Sequence, residues 1–200
     1  MIHFYGAPMS SAGRSHLMLE ECGVAYEYHK VNLRDPAEKA EFAKINPTGK
    51  IPFLTDGDLR IPESIAINFY LAEKYAPQLW STSLEDRARI YSWSLWSITN
   101  LQPECMRVMY HTAIFAEDKR IPAEAEAGRT NVLRYVADLE AMMPATGFLV
   151  GGKLSVADVN VAAVANLVVA TKAATLGPKS QAWFDVMHAR PAWKKLTSHG

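Results

Sequence analysis

Three short stretches of this 200-residue chain carry residue types that do chemistry only when a fold brings them together. In Ile51-Pro52-Phe53-Leu54 a proline interrupts a short apolar strand pattern. Its ring removes a backbone donor, so Pro52 is expected at a sheet edge, with the backbone of Ile51 left free for a ligand. Glu63-Ser64 follow shortly after and precede an amphipathic run in which Ile67, Tyr70 and Leu71 recur at helical spacing. That pattern sets a carboxylate and a helix N-terminus within reach of the same strand. Ser10-Ser11 stand between a first strand pattern and a helix beginning near Ala12, where a hydroxyl can cap the helix or donate to an anion in its positive field. A free strand backbone, a carboxylate and helix N-termini suit a small extended peptide.

The elements that must position these residues fall into two halves. From Met1 to about Ala76, strand and helix patterns alternate: Ile2 to Tyr5, Ser15 to Cys22, Tyr26 to Leu33, Glu38 to Ile45, Ile51 to Leu54, Leu59 to Ile61 and Ile65 to Tyr75, with a hairpin turn at Asp56-Gly57-Asp58. Residues 77–83 have no periodicity and read as a linker. Residues 84–200 read as all helical: Leu84 to Tyr110, Ala123 to Met143 and Val156 to Thr171, with shorter helices at Ser180 to His188 and Pro191 to Leu196. Ser155-Val156-Ala157-Asp158 is a helix start in which Ser155 caps and Asp158 reaches back, a folding signal rather than a catalytic one.

Composition narrows the function classes. At 49% hydrophobic and 21% charged residues the chain is long enough to bury a large core, and 21 basic against 21 acidic residues leave no field to attract nucleic acid. Neither a signal peptide nor a membrane span is expected: Glu20-Glu21 come early, and Asn160, Asn166 and Lys172 interrupt the apolar stretch from Val159 to Ala174. Two cysteines, Cys22 and Cys105, are too few for a disulfide scaffold and fit a reducing, cytoplasmic setting. No Gly-rich phosphate loop, zinc-ligand spacing or Ser-His-Asp order is visible, so no metal is expected.

Five separated motifs together resemble the soluble glutathione transferases across nearly the whole chain. Tyr5-Gly6-Ala7-Pro8-Met9-Ser10 is similar to the first strand and catalytic loop, especially of the phi class, and Asn46-Pro47-Thr48-Gly49-Lys50-Ile51-Pro52 to the cis-proline loop and strand. Glu63-Ser64 resembles the glutamyl-recognition pair, Gly151 to Asp158 the helix-capping signature, and Arg190-Pro191 the late helix start. The resemblance implies an α/β thioredoxin-like glutathione-binding domain over residues 1–76 and an all-helical domain over 84–200 that forms the electrophile pocket. It also implies a homodimeric detoxification enzyme that uses glutathione as cosubstrate, and a cis Ile51-Pro52 bond.

The same resemblance distributes roles. A thiol of pKa about 8.5 must be held as thiolate at neutral pH. Ser10 is the first candidate for the sulfur donor, Ser11 its competitor and Tyr5 a third. The backbone of Ile51 beside Pro52 would pair with the cysteinyl unit, Glu63 would hold the ammonium through a nearby network, and Ser64 the γ-glutamyl carboxylate. Lys50, and less directly Lys39, are candidates for the glycyl carboxylate. Ala37-Glu38-Lys39 departs from the His-Lys pair of the phi pattern. Met9, Met106 and Tyr110 are candidates for the electrophile pocket, although methionines and aromatics at helical spacing also serve as core, and His111 reads as a capping or surface residue. The reaction expected is conjugation to a small hydrophobic electrophile or reduction of a hydroperoxide. A glutathione-dependent isomerase or dehalogenase, or a non-catalytic ligand-binding protein, is the alternative on the same scaffold.

Overall fold

The computed structural model describes residues 1–8 and 10–198, the last two by backbone alone. The chain divides into two compact units, Met1–Trp80 with Arg190–Gly200, and Ser81–Ala189. The first is a mixed sheet with helices and the second is all helical, as read from the sequence.

In the first unit, β1 (Ile2–Gly6), β2 (Tyr26–Lys30), β3 (Phe53–Asp56) and β4 (Leu59–Pro62) form one sheet in the order β2-β1-β3-β4. β1 and β2 run parallel through the helix between them, α1 (Ala12–Cys22), and the other pairings are antiparallel. Ile2, Phe4 and Gly6 of β1 are buried, whereas His3 and Tyr5 face the other side and are half-buried, the two-residue alternation of a strand. Gly6 is where β1 meets α1 most closely: a Cβ there would lie 2.8 Å from that of Ala12. α1 ends at Gly23, whose left-handed φ of 63° lets its N–H close on the Leu19 carbonyl. On the Tyr5 side, α2 (Pro36–Ile45) covers the sheet with Phe42, packed with Val31 and Phe53. Asp35 caps α2 by accepting from the N–H groups of Ala37 and Glu38, with Pro36 preset at the first turn.

Pro52 does not lie at a sheet edge. β3 is an inner strand whose pairing with β1 begins at Phe53, opposite Tyr5, so the missing N–H falls just before the ladder and no pairing is lost. α3 (Ser64–Tyr75) follows the β3–β4 hairpin. Its C-terminal end is tied to β3 by Asp56, which accepts hydrogen bonds from the hydroxyls of Tyr70 and Tyr75 and from the Lys74 ammonium. These donors hold the Asp56 carboxyl well below its usual range.

The second unit begins with α4 (Leu84–Trp96), α5 (Gln102–Met109) and α6 (Pro122–Met142). The sequence reads one helix from Leu84 to Tyr110; the structure interrupts it with π turns at Ser97–Leu101 and Tyr110–Ile114. Pro103 explains the first, because it has no N–H to return to the turn before it. α7 (Val156–Thr171) is buried over most of its length, and α8 (Pro178–His188) follows. At the start of α7 the expected capping box is present and extends further than expected. Buried Asp158 accepts from the Ser155 N–H at 2.9 Å, the Ser155 hydroxyl at 2.8 Å, the Leu149 N–H at 2.9 Å and the Trp183 indole at 3.0 Å. Trp93 and Trp96 meet edge to face at 5.6 Å, and Trp96 reaches Tyr135 of α6.

The sequence reading carries the helical half to residue 200, whereas Arg190 and α9 (Pro191–Ser198) group with the first unit. The cause is local: the Arg190 guanidinium grips Glu21 of α1 through two hydrogen bonds, at 2.6 and 2.7 Å.

Asp158→Ala strands four donors in a dry interior and is expected to cost about 3 kcal/mol or more in chemical denaturation; a loss below about 1 kcal/mol would show that water replaces the carboxylate. The depressed carboxyl of Asp56 stabilises the fold above its unfolded pKa of about 4, and that contribution fades as pH falls below it. Stability of Asp56→Asn measured against pH should therefore show a shallower acid limb than the parent; an unchanged limb assigns acid unfolding to other carboxylates.

Candidate functional site

The N-terminus of α1 carries both candidate serines, half-buried. Ser10 donates its hydroxyl to the Ala7 carbonyl at 2.7 Å and accepts the Ala12 N–H at 3.2 Å, so it caps the helix. Ser11 donates to the carbonyl of Ile51 at 3.4 Å, which joins the start of α1 to the proline segment. No acidic residue lies in the first turn of α1, so nothing there offsets the positive end of its dipole.

The Ile51-Pro52 bond is cis, with Pro52 buried and Ile51 half-buried. Buried Asn46 fixes the approach to it: its Nδ2 donates to the Lys50 carbonyl at 2.8 Å while its Oδ1 accepts from the N–H and hydroxyl of Thr48. The side chain of Lys50 is exposed beside this segment, and Lys39 is exposed on α2. Among the described residues neither ammonium has an ion-pair partner.

Glu63 precedes α3 with φ 71° and ψ 118°, a conformation that a residue with a side chain adopts at a cost of roughly 1–3 kcal/mol. It is exposed, whereas Ser64 beside it is buried. Beneath Ser64 lies Arg14 of α1, only 5% exposed, whose Nη1 donates to the Ser64 hydroxyl at 2.7 Å. Ser15 donates to the Ser64 carbonyl at 3.2 Å, and Asn68 Nδ2 to the Arg14 carbonyl at 3.3 Å. Burial lowers the Arg14 pKa to about 10, which leaves it charged at neutral pH. A hydroxyl that accepts from a guanidinium keeps its own proton for another acceptor. Ser64, the first N–H groups of α3 and the charge of Arg14 therefore gather positive potential and hydrogen-bond donors at one place, with the Glu63 carboxylate next in the chain.

The structure thus brings Ser11, Ile51-Pro52 and Ser64 into one hydrogen-bonded framework within the first unit, with Ser10 and Glu63 as chain neighbours. Sequence reasoning did not pick out Arg14, Ser15 or Asn68 as site residues, and named Asn46 only as part of the loop motif. A charged Arg14 among the apolar positions of α1 was the available signal, since arginine is buried only against a partner. Tyr5 is a packed strand aromatic, its ring 4.6 Å from His29 and 5.7 Å from Phe42. Met9 lies outside the described residues. Met106 is half-buried and Tyr110 exposed in the second unit, Tyr110 stacking on Phe115 at 5.1 Å. His111 accepts the Ile121 N–H through Nδ1 at 3.1 Å, a contact across the loop that precedes α6. Burial pushes the thiols of Cys22 and Cys105 up to about 12, which suits structural cysteines rather than reactive ones.

Comparison with known proteins bears on the family and fold. Residues 1–73 match the family model for the glutathione S-transferase N-terminal domain and residues 105–191 that for the C-terminal domain. Glutathione S-transferase 4 of Zea mays is 30% identical over 98% of this chain and 91% of its own length. Among solved structures, glutathione S-transferase-I bound with lactoylglutathione is 28% identical, covers 98% of each chain and has a TM-score of 0.88. A theta class glutathione S-transferase from Xanthomonas axonopodis pv. citri, with glutathione bound, is 28% identical over 97% of this chain and 95% of that one, with a TM-score of 0.82.

Replacing Glu63 with glycine separates its backbone from its carboxylate. Glu63→Gly is expected to keep or raise the melting temperature, because glycine adopts φ 71° freely, while glutathione affinity falls about tenfold or more in calorimetry. A lowered melting temperature with unchanged affinity would make the carboxylate structural.

Proposed function

The chain belongs to the glutathione S-transferase family, and from that premise we propose that its first unit binds glutathione in an extended form and activates it by a serine hydroxyl. The reading rests on one observation above the others: the buried Arg14 braces Ser64 at the start of α3, while Ser11 reaches the Ile51 carbonyl beside the cis proline. That framework suits the three chemically distinct parts of the tripeptide. The γ-glutamyl carboxylate meets Ser64 and the α3 N-terminus, and its ammonium meets Glu63. The cysteinyl amide pairs with the backbone of Ile51 in strand fashion, and the glycyl carboxylate meets Lys50, with Lys39 as a more distant cation. Sulfur then lies toward the start of α1.

The chemistry follows from electrostatics. Ser10 turns its proton from the Ala7 carbonyl to the sulfur, and the α1 N-terminus adds positive potential, so the anion is favoured over the thiol. The thiolate attacks an electrophilic carbon and displaces a leaving group or adds to an activated double bond. With a hydroperoxide it attacks the outer oxygen, releasing the alcohol and leaving a sulfenic acid, which a second glutathione converts to the disulfide and water. Met106 and Tyr110, in the helical unit Ser81–Ala189, keep their proposed role as apolar contacts for the second substrate. We further propose a homodimeric, cytoplasmic enzyme of detoxification. Among the described residues no helix is long and apolar enough to cross a membrane.

Ultraviolet difference titration of bound glutathione tests the thiolate step. The parent is expected to titrate below the solution value of about 8.5. Ser10→Ala is expected to restore that value and to cost about 2 to 4 kcal/mol in kcat/KM, with Ser11→Ala retaining the shift. Loss of the shift in Ser11→Ala alone moves the role to Ser11; an unshifted parent that still binds glutathione overturns activation altogether.

A further inference from the structure

Outside the glutathione framework, β1 and its parallel neighbour β2 bring together His3, Glu27 and His29. The pairing register sets His3 opposite Glu27 and Tyr5 opposite His29, so all four side chains project from one face of the sheet. His3 Nδ1 lies 3.1 Å from His29 Nε2 and 3.2 Å from Glu27 Oε2, and His29 Nε2 lies 3.5 Å from Glu27 Oε1. One donor atom from each of the three residues lies within 4.8 Å of the other two.

We propose that this triad is a binding site for a divalent first-row transition ion of the zinc class. A tetrahedral ion with bonds of about 2.0–2.1 Å sets its donors roughly 3.3–3.4 Å apart along each edge. The separations of 3.1, 3.2 and 3.5 Å bracket that edge, the last two through different oxygens of Glu27, so a small turn of that exposed carboxylate sets one oxygen against both imidazoles. Two imidazole nitrogens and one carboxylate oxygen are a borderline donor set, suited to zinc, copper or nickel rather than to magnesium or calcium. Two imidazole N–H groups pointing at one another across 3.1 Å would repel, so at least one nitrogen presents a lone pair to its neighbours. A cation replaces the shared proton and satisfies all three groups at once. Access is open, because the side chains of His3, His29 and Glu27 are 36%, 32% and 55% exposed.

The rings are also held in place. His29 stacks on Tyr5 at 4.6 Å, and Tyr5 is packed against Phe42 and Phe53, so one ligand is oriented before any ion arrives. A fourth position faces solvent and is left to water. β2 is one of the two edge strands of the sheet, so an ion bound across β1 and β2 clamps that edge. The site depends neither on the glutathione reading nor on residues given to it. Linear spacing conceals it, since the two histidines are 26 positions apart and only parallel pairing makes them neighbours.

The test titrates the full chain with Zn2+ against a chromophoric chelator, without glutathione, whose thiol itself binds zinc. The parent is expected to take up one zinc per chain and to gain in melting temperature. His3→Ala and His29→Ala should each weaken uptake about tenfold or more, with circular dichroism and glutathione affinity unchanged. Should the variants misfold, substoichiometric zinc added to the parent should shift the ring-proton resonances of two of the six histidines selectively. No competition with the chelator, undiminished binding in the double variant, or shifts confined to other histidines would each reduce the triad to a hydrogen-bonded surface cluster and overturn the proposal.

Discussion

A buried guanidinium is the constraint around which the first unit is arranged. Taking Arg14 out of water costs several kcal/mol unless its surroundings compensate, and α1 alone cannot supply that compensation. Ser64 accepts from Arg14, Ser15 donates to the backbone of Ser64, and Asn68 donates to the Arg14 carbonyl. These bonds tie α1 to α3 near the N-terminus of each helix. The two positive helix ends and one full positive charge are thereby fixed in one region. A fold that buried leucine at position 14 would pack more cheaply and would lack that full charge.

The surroundings show how little freedom remains once this tie is made. Gly6 admits the close approach of β1 to α1, and Asn46 sets the path of the chain into the cis Ile51-Pro52 bond. Glu63 takes a backbone conformation unfavourable for a residue with a Cβ, and its neighbours over-determine it: Pro62 is held in β4 and Ser64 is held by Arg14 and Ser15. In the second unit the comparable anchor is Asp158, whose four donors come from the preceding loop, the helix cap and α8. There the buried carboxylate does structural work only, and its partners leave no lone pair turned to a ligand.

Legibility in the sequence divided along the range of the interactions involved. Hydrophobic periodicity and caps are local, so the order of strands and helices, the Ser155–Asp158 box and the division into an α/β half and a helical half were readable from composition and spacing. Pro103 was visible as a residue, but its conversion of one long helix into segments joined by a π turn depends on how the turn before it is packed. The edge position inferred for Pro52 failed for the same reason: a missing donor is harmless at an edge or just outside a ladder, and only the pairing of Phe53 with Tyr5 selects the second.

Residue types alone determined the motif-bearing segments: serines before a helix, a proline before a strand, an acid and a serine before another helix. Those choices follow from φ restriction, capping and dipoles, which act over a few residues. Tertiary structure decided which groups meet. Arg14 and Ser64 are 50 positions apart, Ser11 and Ile51 are 40, and His3 and His29 are 26. No local propensity encodes such pairs; they arise because strand register and helix packing minimise exposed apolar area across the whole unit, and the polar groups carried along must find partners where that packing leaves them.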